Sequence, residues 1–328
     1  MTKTTLNWAV LGTGVIANQM AQALQEMGRS LYAVGNRTHE KALDFAKKYD
    51  VQKVYDQFEE MFTDPEVDVI YLTTPHNTHY GFMKQALENG KHLFVEKSIT
   101  LNSRELEEMA ALAEEKGLVL AEAMTIWHMP LYKKLWSMVE SGKLGNVQMI
   151  TANFGSFKDY DMTNRFFNMN LAGGALLDIG VYALSITRSF MSSQPDQILS
   201  QMRPAPTGAD EQASIILMNG DGQMATLALS LHSKQPKRTV ISCEKGYIEI
   251  MEYPRADKAV IVDAETGAAE EICEGSTASA LRYEMEDMEA AILSGDTSAL
   301  KLDLSRDVMS IMTRLRKEWG MKYPGEEW

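Results

Sequence analysis

A charged pair, Glu96 and Lys97, directly follows the apolar run Leu93–Val95. Such a run predicts a buried strand, and the carboxyl ends of strands in a parallel sheet line the ligand crevice. A lysine at that end can hold a substrate hydroxyl. It can also lower the pKa of a neighbouring tyrosine, because its positive charge favours the phenolate. Glu96 could bind a cofactor or orient the lysine. The alternative is a surface ion pair, which would contribute little to stability.

A second pair with chemical potential, Asp178 and Tyr182, lies in the apolar segment Leu171–Met191. The segment predicts a helix that opens at Gly173–Gly174, and residues four apart then project from one helical face. Gly180 lowers the stability of such a helix by about 1 kcal/mol relative to alanine. A glycine is explained there if another backbone or a ligand passes close by. The alternative is a buried helix with a hydrogen-bonded tyrosine and an aspartate in its first turn.

Residues 1–123 alternate between apolar runs and amphipathic segments, as expected of strands and helices that follow one another. Near-continuous apolar strands separated by helices are typical of a parallel sheet covered on both faces, and right-handed crossovers make it doubly wound. The sequence therefore predicts an N-terminal Rossmann domain over residues 1–123. The predicted strands are Asn7–Gly12, Leu31–Gly35, Lys53–Tyr55, Val67–Pro75, His92–Lys97 and Leu118–Met124. The predicted helices end at Met27, Tyr49, Phe62, Asn89 and Lys116.

The first predicted turn, Gly12–Ala17, reads GTGVIA. Gly12 permits a tight turn, Gly14 lets the backbone approach a pyrophosphate, and Ala17 lets the helix pack closely on the strand. The helix N-terminus then offers N–H groups and a partial positive charge to phosphates. Because the motif follows a strand and opens a helix, it predicts dinucleotide binding. A structural glycine turn or another nucleoside ligand, such as S-adenosylmethionine, is the alternative. The predicted contacts are Gly12, Thr13, Gly14, Val15 and Ile16.

The end of the second strand, Gly35–Thr38, bears on which dinucleotide binds. An NAD site usually has Asp or Glu there to bind the ribose 2′-hydroxyl, and no acid stands at this position. Arg37 could pair with a 2′-phosphate, and Asn36 could donate a hydrogen bond to it. The sequence thus favours NADP(H) over NAD(H). A solvated arginine at a helix start is the alternative.

The end of the fourth strand carries a run of polar residues that we expect close to the cofactor, at the carboxyl end of the sheet. Two histidines in this run raise the question of a metal, but no third ligand accompanies them, and polar wall residues or a helix cap are the favoured interpretation. We therefore predict no metal site. The predicted cofactor residues here are Thr73, Thr74, Pro75, His76, Asn77 and His79.

Residues 124–328 follow a different pattern. After an amphipathic helix that starts at Pro130, alternating apolar and polar residues with glycine turns predict hairpins of an antiparallel sheet. Two helices, Leu281–Leu293 and Ser305–Glu318, close the chain. The sequence therefore predicts an α+β domain with a large open, mainly antiparallel sheet, whose less apolar face could pack on a second subunit.

The composition is that of a globular chain with about two domains. The 328 residues are 45% hydrophobic, and 45 acids against 32 bases give a net charge of −13, which favours neither nucleic acid nor anionic membrane as a partner. Cys243 and Cys273 stand without a CxxC motif or a Cys/His cluster, which suits a reducing cytoplasm. We also expect no signal peptide and no run of about 18 apolar residues that could span a membrane.

Four stretches of the chain resemble the Gfo/Idh/MocA family of nicotinamide-dependent oxidoreductases (glucose–fructose oxidoreductase, inositol dehydrogenase and relatives). They are Gly12–Ala17, Thr74–His79, Glu96–Lys97 and Gly173–Tyr182. The last is the most specific, and it ends in tyrosine where inositol dehydrogenases carry histidine. In this it is similar to the branch that contains glucose–fructose oxidoreductase, dihydrodiol dehydrogenase and D-xylose dehydrogenase. That branch commonly prefers NADP, in agreement with Arg37, and the resemblance covers essentially the whole chain.

The resemblance implies that Lys97 and Tyr182 are the catalytic pair. Tyr182 would take a proton from an alcohol, or give one to a carbonyl, as hydride passes to or from C4 of the nicotinamide. Lys97 would lower the tyrosine pKa from its reference value of about 10 and help bind the reacting oxygen. Asp178 would orient the substrate or the lysine, and Trp127 and His128 would lie near the nicotinamide and the substrate. The family fold also implies a dimer interface on the open sheet.

Ser98 and Arg165 are two further positions near the predicted site. The family commonly reads Glu-Lys-Pro, and Ser98 replaces the proline, so the backbone next to Lys97 depends on surrounding packing. Arg165, upstream of the Gly-Gly turn, could contact a polyol or a carboxylate; a solvated or structural arginine is the alternative.

The sequence as a whole predicts an NADP-preferring oxidoreductase that acts on a sugar, a polyol or a vicinal diol or carbonyl compound. The alternative is a non-catalytic NADP(H)-binding sensor or regulatory protein, and the retention of Lys97 and Tyr182 argues against it. We expect a cytoplasmic homodimer or homotetramer assembled through the C-terminal sheet. The substrate depends on loops near His128, residues 157–165 and His232, whose conformations the sequence does not determine.

Overall fold

The computed structural model describes residues 5–327, which divide into two compact units. The first unit holds the described residues up to Thr100, Arg104–Ala123 and Ala278–Leu302. The second holds Leu101–Ser103, Met124–Thr277 and the described residues from Asp303 onwards.

The first unit contains a six-stranded sheet in the order β3-β2-β1-β4-β5-β6, and every neighbouring pair is parallel. Its strands are β1 (Trp8–Leu11), β2 (Ala33–Gly35), β3 (Lys53–Val54), β4 (Val69–Leu72), β5 (His92–Glu96) and β6 (Leu120–Ala123). The chain order reverses between β1 and β4, and ligands of doubly wound sheets bind outside the carboxyl ends of the strands at such a point. The predicted Rossmann sheet is confirmed.

The helices of this unit follow the predicted segments with small shifts at their ends. They are α1 (Val15–Glu26), α2 (His39–Tyr49), α3 (Glu60–Thr63), α4 (His76–Glu88), α5 (Ser103–Lys116) and, from the far end of the chain, α9 (Ala280–Ser294). Helix α4 begins directly after Pro75, which is its N-cap. Proline has no backbone N–H to donate. At the start of a helix this costs nothing, because the first N–H groups have no acceptor within the helix.

Helix α9 corrects the predicted division of the chain, because the second domain was expected to hold both closing helices. Its residues Met285 and Met288 are buried in the core beneath α1. Glu289 accepts a hydrogen bond from Trp8 Nε1 (2.6 Å) and two from the guanidinium of Arg29 (2.7 and 3.0 Å). The first unit is therefore completed by a segment that follows its last strand by more than 150 positions.

The second unit is built on an eight-stranded sheet in the order β14-β13-β12-β11-β7-β10-β9-β8. All neighbours are antiparallel except β7 and β10, so the sheet is mixed but mainly antiparallel, as predicted. The strands are β7 (Val147–Gly155), β8 (Gln197–Pro204), β9 (Asp210–Met218), β10 (Met224–Ser230), β11 (Gln235–Cys243), β12 (Gly246–Met251), β13 (Lys258–Asp263) and β14 (Ala269–Cys273).

One face of this sheet is apolar and buried. The register aligns a row of buried apolar side chains across six strands: Ile248, Ile241, Ile150, Ala225, Leu217 and Ile198. Helix α8 (Val181–Phe190) packs against β7 and β10. The other helices of the unit are α6 (Thr125–His128), α7 (Pro130–Glu140) and α10 (Leu302–Glu318).

The segment before α8 is not the regular helix that the sequence predicts. Leu176–Gly180 form a single π-helical turn that runs directly into α8. A methyl group on Gly180 would lie 2.8 Å from the side chain of Leu229, so this glycine makes room for the sheet rather than for another backbone or a ligand.

One segment has the length and hydropathy of a membrane span, contrary to expectation. Met169–Phe190 covers 22 residues, and its most apolar window has a mean hydropathy of 1.4. Of that window, 78% is buried inside the structure, as is usual for a core helix.

Candidate functional site

The glycine loop of the first unit has the shape that a dinucleotide pyrophosphate needs. Gly12 has a φ of +110°, and a Cβ there would lie 3.1 Å from the carbonyl oxygen of Thr73, so only glycine fits. A Cβ on Gly14 would meet no described atom within 4 Å, which leaves the space in front of it open. Among the described residues no side chain caps the first turn of α1, and Val15 is 78% exposed. The residues of this loop therefore fit the pyrophosphate of a dinucleotide.

Side chains from α1 and α2 hold this loop from behind. Asn18 Nδ2 donates to the carbonyl oxygen of Gly14 (2.8 Å), and its Oδ1 accepts from the hydroxyl of Tyr49 (2.8 Å). Ile16 packs partly against the core, so its backbone and not its side chain is available to a phosphate. Thr13 is partly exposed in the loop.

The residues after β2 lie where an adenine ribose is bound in this fold. Arg37 is exposed, and within residues 5–327 the structure gives it no carboxylate partner. Asn36 is partly exposed and donates from Nδ2 to the carbonyl oxygen of Thr38 (3.0 Å). No acid stands at the strand end itself.

The polar run after β4 is divided between the surface and the interior. Pro75 and Asn77 are exposed, whereas Thr73 and Thr74 are partly buried. Thr73 Oγ1 donates to the carbonyl oxygen of Leu11 (3.1 Å), which ties the end of β4 to the end of β1 beside the glycine loop.

His76 and His79 bind backbone carbonyls, which agrees with the preference against a metal. His76 Nε2 lies 3.0 Å from the carbonyl oxygen of Lys97. His79 is fully buried, with its two ring nitrogens 2.8 and 3.1 Å from the carbonyl oxygens of Thr74 and Ile99. Burial lowers the pKa of His79, although these carbonyls oppose the shift. The predicted cofactor contact of His79 is therefore wrong: this ring joins the segments that follow β4 and β5.

Glu96 and Lys97 occupy the predicted place at the carboxyl end of β5, beside the end of β4. Glu96 accepts a hydrogen bond from the hydroxyl of Tyr71, a buried residue of β4. Both charged side chains are partly exposed, whereas Ser98 is fully buried. The peptide bond between Lys97 and Ser98 is cis.

In the second unit, Asp178 and Tyr182 are the partly exposed members of Gly173–Thr187, a segment that is otherwise buried. Asp178 lies in the π-helical turn, and Tyr182 is the second residue of α8. The ring of Tyr182 lies 6.0 Å from that of Phe154 on β7. It also lies near Tyr253, whose pKa is raised well above its ordinary value, first by burial and then by the charge that Tyr182 can carry.

Arg165 lies close to Asp178. The distance from Arg165 Nη1 to Asp178 Oδ1 is 3.6 Å, and the guanidinium, on a side chain 61% exposed, lies 4.3 Å from the ring of Phe166. Arg165 thus pairs with an aspartate of its own unit, and the exposed part of its side chain is available to a ligand. The contact with a polyol or a carboxylate stays a prediction.

Trp127 and His128 lie in the interior of the second unit. Both are completely buried, and Trp127 Nε1 donates to Ser305 Oγ (3.3 Å) within the second unit. Neither offers surface to a substrate in this conformation, so the structure does not support the predicted contact.

The loops that follow β7 and β10 form an exposed aromatic group. The ring of His232 lies 5.5 Å from Phe157 in a stacked arrangement and 4.2 Å from Tyr160. Phe157 is 63% and Tyr160 is 45% exposed. Because β7 and β10 are parallel neighbours, the loops that follow them leave the sheet at the same end. Phe154 lies at that end of β7.

Sequence reasoning missed Asp210, the first residue of β9. Its side chain is completely buried, and its Oδ2 accepts a hydrogen bond from the backbone N–H of Leu176 (2.6 Å) at the start of the π-helical turn. The available signal was the acidic pair Asp210–Glu211 at the start of an otherwise apolar strand. Within residues 5–327 no group of three or more His, Cys, Asp or Glu side chains is placed to hold a metal ion.

Two family profiles match the chain. The profile of the oxidoreductase family with the NAD-binding Rossmann fold (Gfo/Idh/MocA) covers residues 6–124, and that of the Gfo/Idh/MocA C-terminal domain covers residues 132–249.

Two similar curated proteins share a name. The trans-1,2-dihydrobenzene-1,2-diol dehydrogenase of Xenopus laevis is 30% identical over 97% of this chain and 99% of its own length. The protein of the same name from Sus scrofa is 28% identical over 98% of this chain and 99% of its own.

Solved structures share the fold at lower identity. A 3-ketoreductase from Actinomadura kijaniata, in complex with NADP and TDP-benzene, has a TM-score of 0.85 and 20% identity over 96% of this chain and 98% of its own. UDP-N-acetylglucosamine 3-dehydrogenase from Acidithiobacillus ferrooxidans has a TM-score of 0.81 and 20% identity over 95% and 97%. Together with the profiles and the relatives, this agreement in fold identifies the chain as an oxidoreductase that belongs to the Gfo/Idh/MocA family.

Proposed function

We propose that this oxidoreductase transfers hydride between NADP(H) and a substrate carbon, which is a carbinol carbon in a vicinal diol and a carbonyl carbon in the corresponding hydroxy-carbonyl compound, with a cyclic diol or sugar as the substrate class. The observation that carries the proposal is the partly exposed pair of Asp178 and Tyr182 on an otherwise buried segment, with the ring of Phe154 beside Tyr182. The relatives named dihydrodiol dehydrogenase and the ketoreductase solved with NADP support this reaction class.

The proton is handled by this chain's own residues. When bound, the nicotinamide supplies or accepts the hydride. Tyr182 takes the hydroxyl proton in the oxidation and returns it in the reduction, and the ammonium of Lys97 binds the reacting oxygen as its negative charge grows. Asp178, held by Arg165, accepts a hydrogen bond from the second hydroxyl of the diol and so orients it.

The preference for NADP(H) rests on Arg37. It is exposed after β2, with no acid in the strand end, and can pair with two of the three non-bridging oxygens of a 2′-phosphate. The aromatic loops at Phe157, Tyr160 and His232 favour a substrate with a ring, because flat apolar surfaces pack on aromatic faces.

The test is a titration of the protein with NADP(H) and NAD(H), followed by tryptophan fluorescence. The tighter cofactor is then used with a panel of cyclic diols, sugars and polyols. We expect tighter binding of NADP(H), and turnover that Lys97→Met abolishes without weakening cofactor binding. Lys47→Met, the same change at an exposed position of α2, is the matched control. Tight binding without turnover across the panel would favour a sensor, and tighter NAD(H) binding would contradict the cofactor assignment.

We also infer that two copies of the chain pair through the outer face of the second sheet. The register places Tyr247, Met149 and Met224 in one row of that face, and Leu199 and Ile216 in the next. These side chains are between 37% and 68% exposed, and contiguous exposed apolar surface usually marks an interface. Leu199→Asp should shift the mass measured by light scattering to that of one chain. Leu293→Asp, at an exposed leucine of the first unit, should leave it unchanged; equal masses for both variants and the wild type would contradict the inference.

A further inference from the structure

The buried carboxyl of Asp210 is placed at the start of the segment that carries the reacting side chains. The segment from Gly173 enters the π-helical turn at Leu176, and six residues later it reaches Tyr182. Asp210 lies on a different element, at the first position of β9, and its Oδ2 is 2.6 Å from the backbone nitrogen of Leu176. A strand of the sheet is thus bonded directly to the beginning of this segment.

This bond replaces a helix cap that the segment itself lacks. The first N–H groups of a helix have no intrahelical acceptor, and a Ser, Thr, Asp or Asn at the N-cap usually supplies one. Here the N-cap is Ala175, whose side chain has no acceptor, and no side-chain cap comes from the segment. Asp210 supplies the acceptor from 34 positions further along the chain.

Close packing at Gly174 fixes the same contact. Gly174 has a φ of +138°, and a Cβ at this residue would lie 1.9 Å from Asp210 Oδ1. The glycine therefore makes room for the carboxyl as well as for the turn. On the other side, the hydroxyl of Tyr323 donates to the carbonyl oxygen of Gly173 (2.9 Å). The entry of the segment is held from β9 and from the C-terminal residues together.

We propose that Asp210 is a positioning residue, whose carboxylate holds the first turn of the segment Gly173–Tyr182 and thereby sets the place of Asp178 and Tyr182. Its effect on turnover rests on the proposed function, whereas its effect on the segment does not. Asp210 touches neither substrate nor cofactor in this role, and acts only through the backbone that it caps.

The charged groups around Asp210 determine when the carboxylate forms. Burial raises its pKa to about 7, while the N–H of Leu176 and the charge of Arg316 on α10 oppose the shift. Arg316 is itself paired with Glu326 (2.7 Å), so its positive charge is shared between two carboxyl groups. The elements packed around Asp210 also carry Asp178 and Tyr182 on the capped segment and Tyr323 with Glu326 near the C-terminus. The neighbouring Glu211 accepts from the hydroxyl of Tyr160 and lies 4.0 Å from Arg203.

The cap is therefore strongest above neutral pH. An ionised carboxylate accepts a stronger hydrogen bond than a neutral carboxyl, and it interacts favourably with the partial positive charge of a helix start. As the pH falls through about 7, Asp210 gains a proton and the hold on Leu176 weakens.

Backbone hydrogen exchange tests the positioning role without a substrate. In Asp210→Asn at about pH 8, we expect the amides of residues 173–182 to exchange about tenfold faster, because a charge-assisted bond is lost. The amides of β1 and the dissociation constant of NADPH should stay unchanged. Asp64→Asn, which removes a buried carboxylate from the first unit, should leave exchange in residues 173–182 as it is. Unchanged exchange in Asp210→Asn would overturn the proposal.

A measurement on the wild type covers the case in which the variant does not fold. In the wild type at about pH 8, the amide of Leu176, from which Asp210 accepts a hydrogen bond, should be protected, and exchange at the intrinsic rate there would overturn the proposal. In the turnover assay, Asp210→Asn should lower kcat and leave KM nearly unchanged. Faster exchange in the variant, combined with a wild type that turns over no substrate, would support the positioning role and refute the proposed function.

Discussion

Two buried carboxylates, one in each unit, hold loops in opposite electrostatic settings. Asp64 follows α3 in the first unit and accepts hydrogen bonds from Lys53 Nζ (2.7 Å), the hydroxyl of Tyr55 (2.7 Å) and the N–H of Glu66 (2.9 Å). Burial alone would raise the pKa of Asp64, but these partners lower it to about 2. Asp210 has backbone N–H groups and a shared arginine, and its pKa is raised to about 7.

The difference separates a stabilising carboxylate from a costly one. The lowered pKa of Asp64 means that its charge adds stability at neutral pH, and this contribution is lost as the pH falls from about 4 to 2. The raised pKa of Asp210 has the opposite sign: the protonated form is favoured by folding, so stability is lost as the pH rises from about 4 to 7. The first unit uses its carboxylate for stability, whereas the second retains one at the site despite its cost.

The largest expected effect tests whether a tyrosine of the second unit carries the proton while the first unit binds the cofactor. Tyr182→Phe should lower kcat by about 10²–10⁴-fold, because the proton donor and acceptor is removed. The NADPH dissociation constant, measured by fluorescence titration, should not change. Tyr247→Phe, at a tyrosine on the outer face of the sheet, is the control. Full turnover by Tyr182→Phe would show that another group carries the proton.

Gly174→Ala tests the packing side of the Asp210 contact. The new methyl group would overlap Asp210 Oδ1 at a backbone conformation that favours glycine, so we expect a loss of about 3 kcal/mol in the free energy of unfolding. Gly220→Ala is the matched control, since Asp196 Oδ2, the nearest atom to the added Cβ, is 4.0 Å away. Equal urea midpoints for the two variants would mean that the carboxyl moves aside without cost.

Asp64→Asn tests the stabilising carboxylate. We expect a loss of about 2 kcal/mol in the free energy of unfolding at pH 7, because the charge that Lys53 and Tyr55 bind is gone. Wild type and variant should converge as the pH falls towards 2 in urea titrations. Asp44→Asn, at an exposed aspartate of α2, should be nearly neutral at every pH. A constant difference between wild type and Asp64→Asn down to pH 2 would contradict the ionic origin of the effect.

Arg37→Ala should give the smallest effect, and it concerns the first unit alone. Loss of the guanidinium should weaken NADP(H) binding by about tenfold and leave NAD(H) binding unchanged, because only NADP(H) carries the 2′-phosphate. Lys41→Ala, in the first turn of α2, serves as the control for a general loss of positive charge. Equal weakening of both cofactors would place Arg37 at the shared part of the dinucleotide.

The parts of the fold that depend on local pattern could be predicted from the sequence. The apolar runs located β1 to β6, and glycine turns located the hairpins of the second sheet. Strand β8 was missed because its only buried side chain is Ile198, which leaves no alternation to detect. Helix α9 was recognised as a helix, but an apolar face does not reveal which unit will bury it.

The candidate site shows the same difference between local features, which could be predicted, and long-range contacts, which could not. Glu96 and Lys97 were located because a strand end is a local feature. The burial of His79 and Trp127, and the cap from Asp210, depend on contacts with residues far along the chain. Polar residue types near a predicted crevice indicated candidates, but they did not show which side chains would turn inward.

The return of α9 to the first unit has a consequence for synthesis on the ribosome. Trp8 and its partner Glu289 are 281 positions apart in the chain. At about 5–20 residues per second, roughly 15 to 60 s separate their translation. During that interval the nascent first unit lacks the methionines that cover α1, and the indole and the guanidinium that await Glu289 remain in water. The unit whose strands are made first is thus completed late, and chaperones and proteases can reach this face until then.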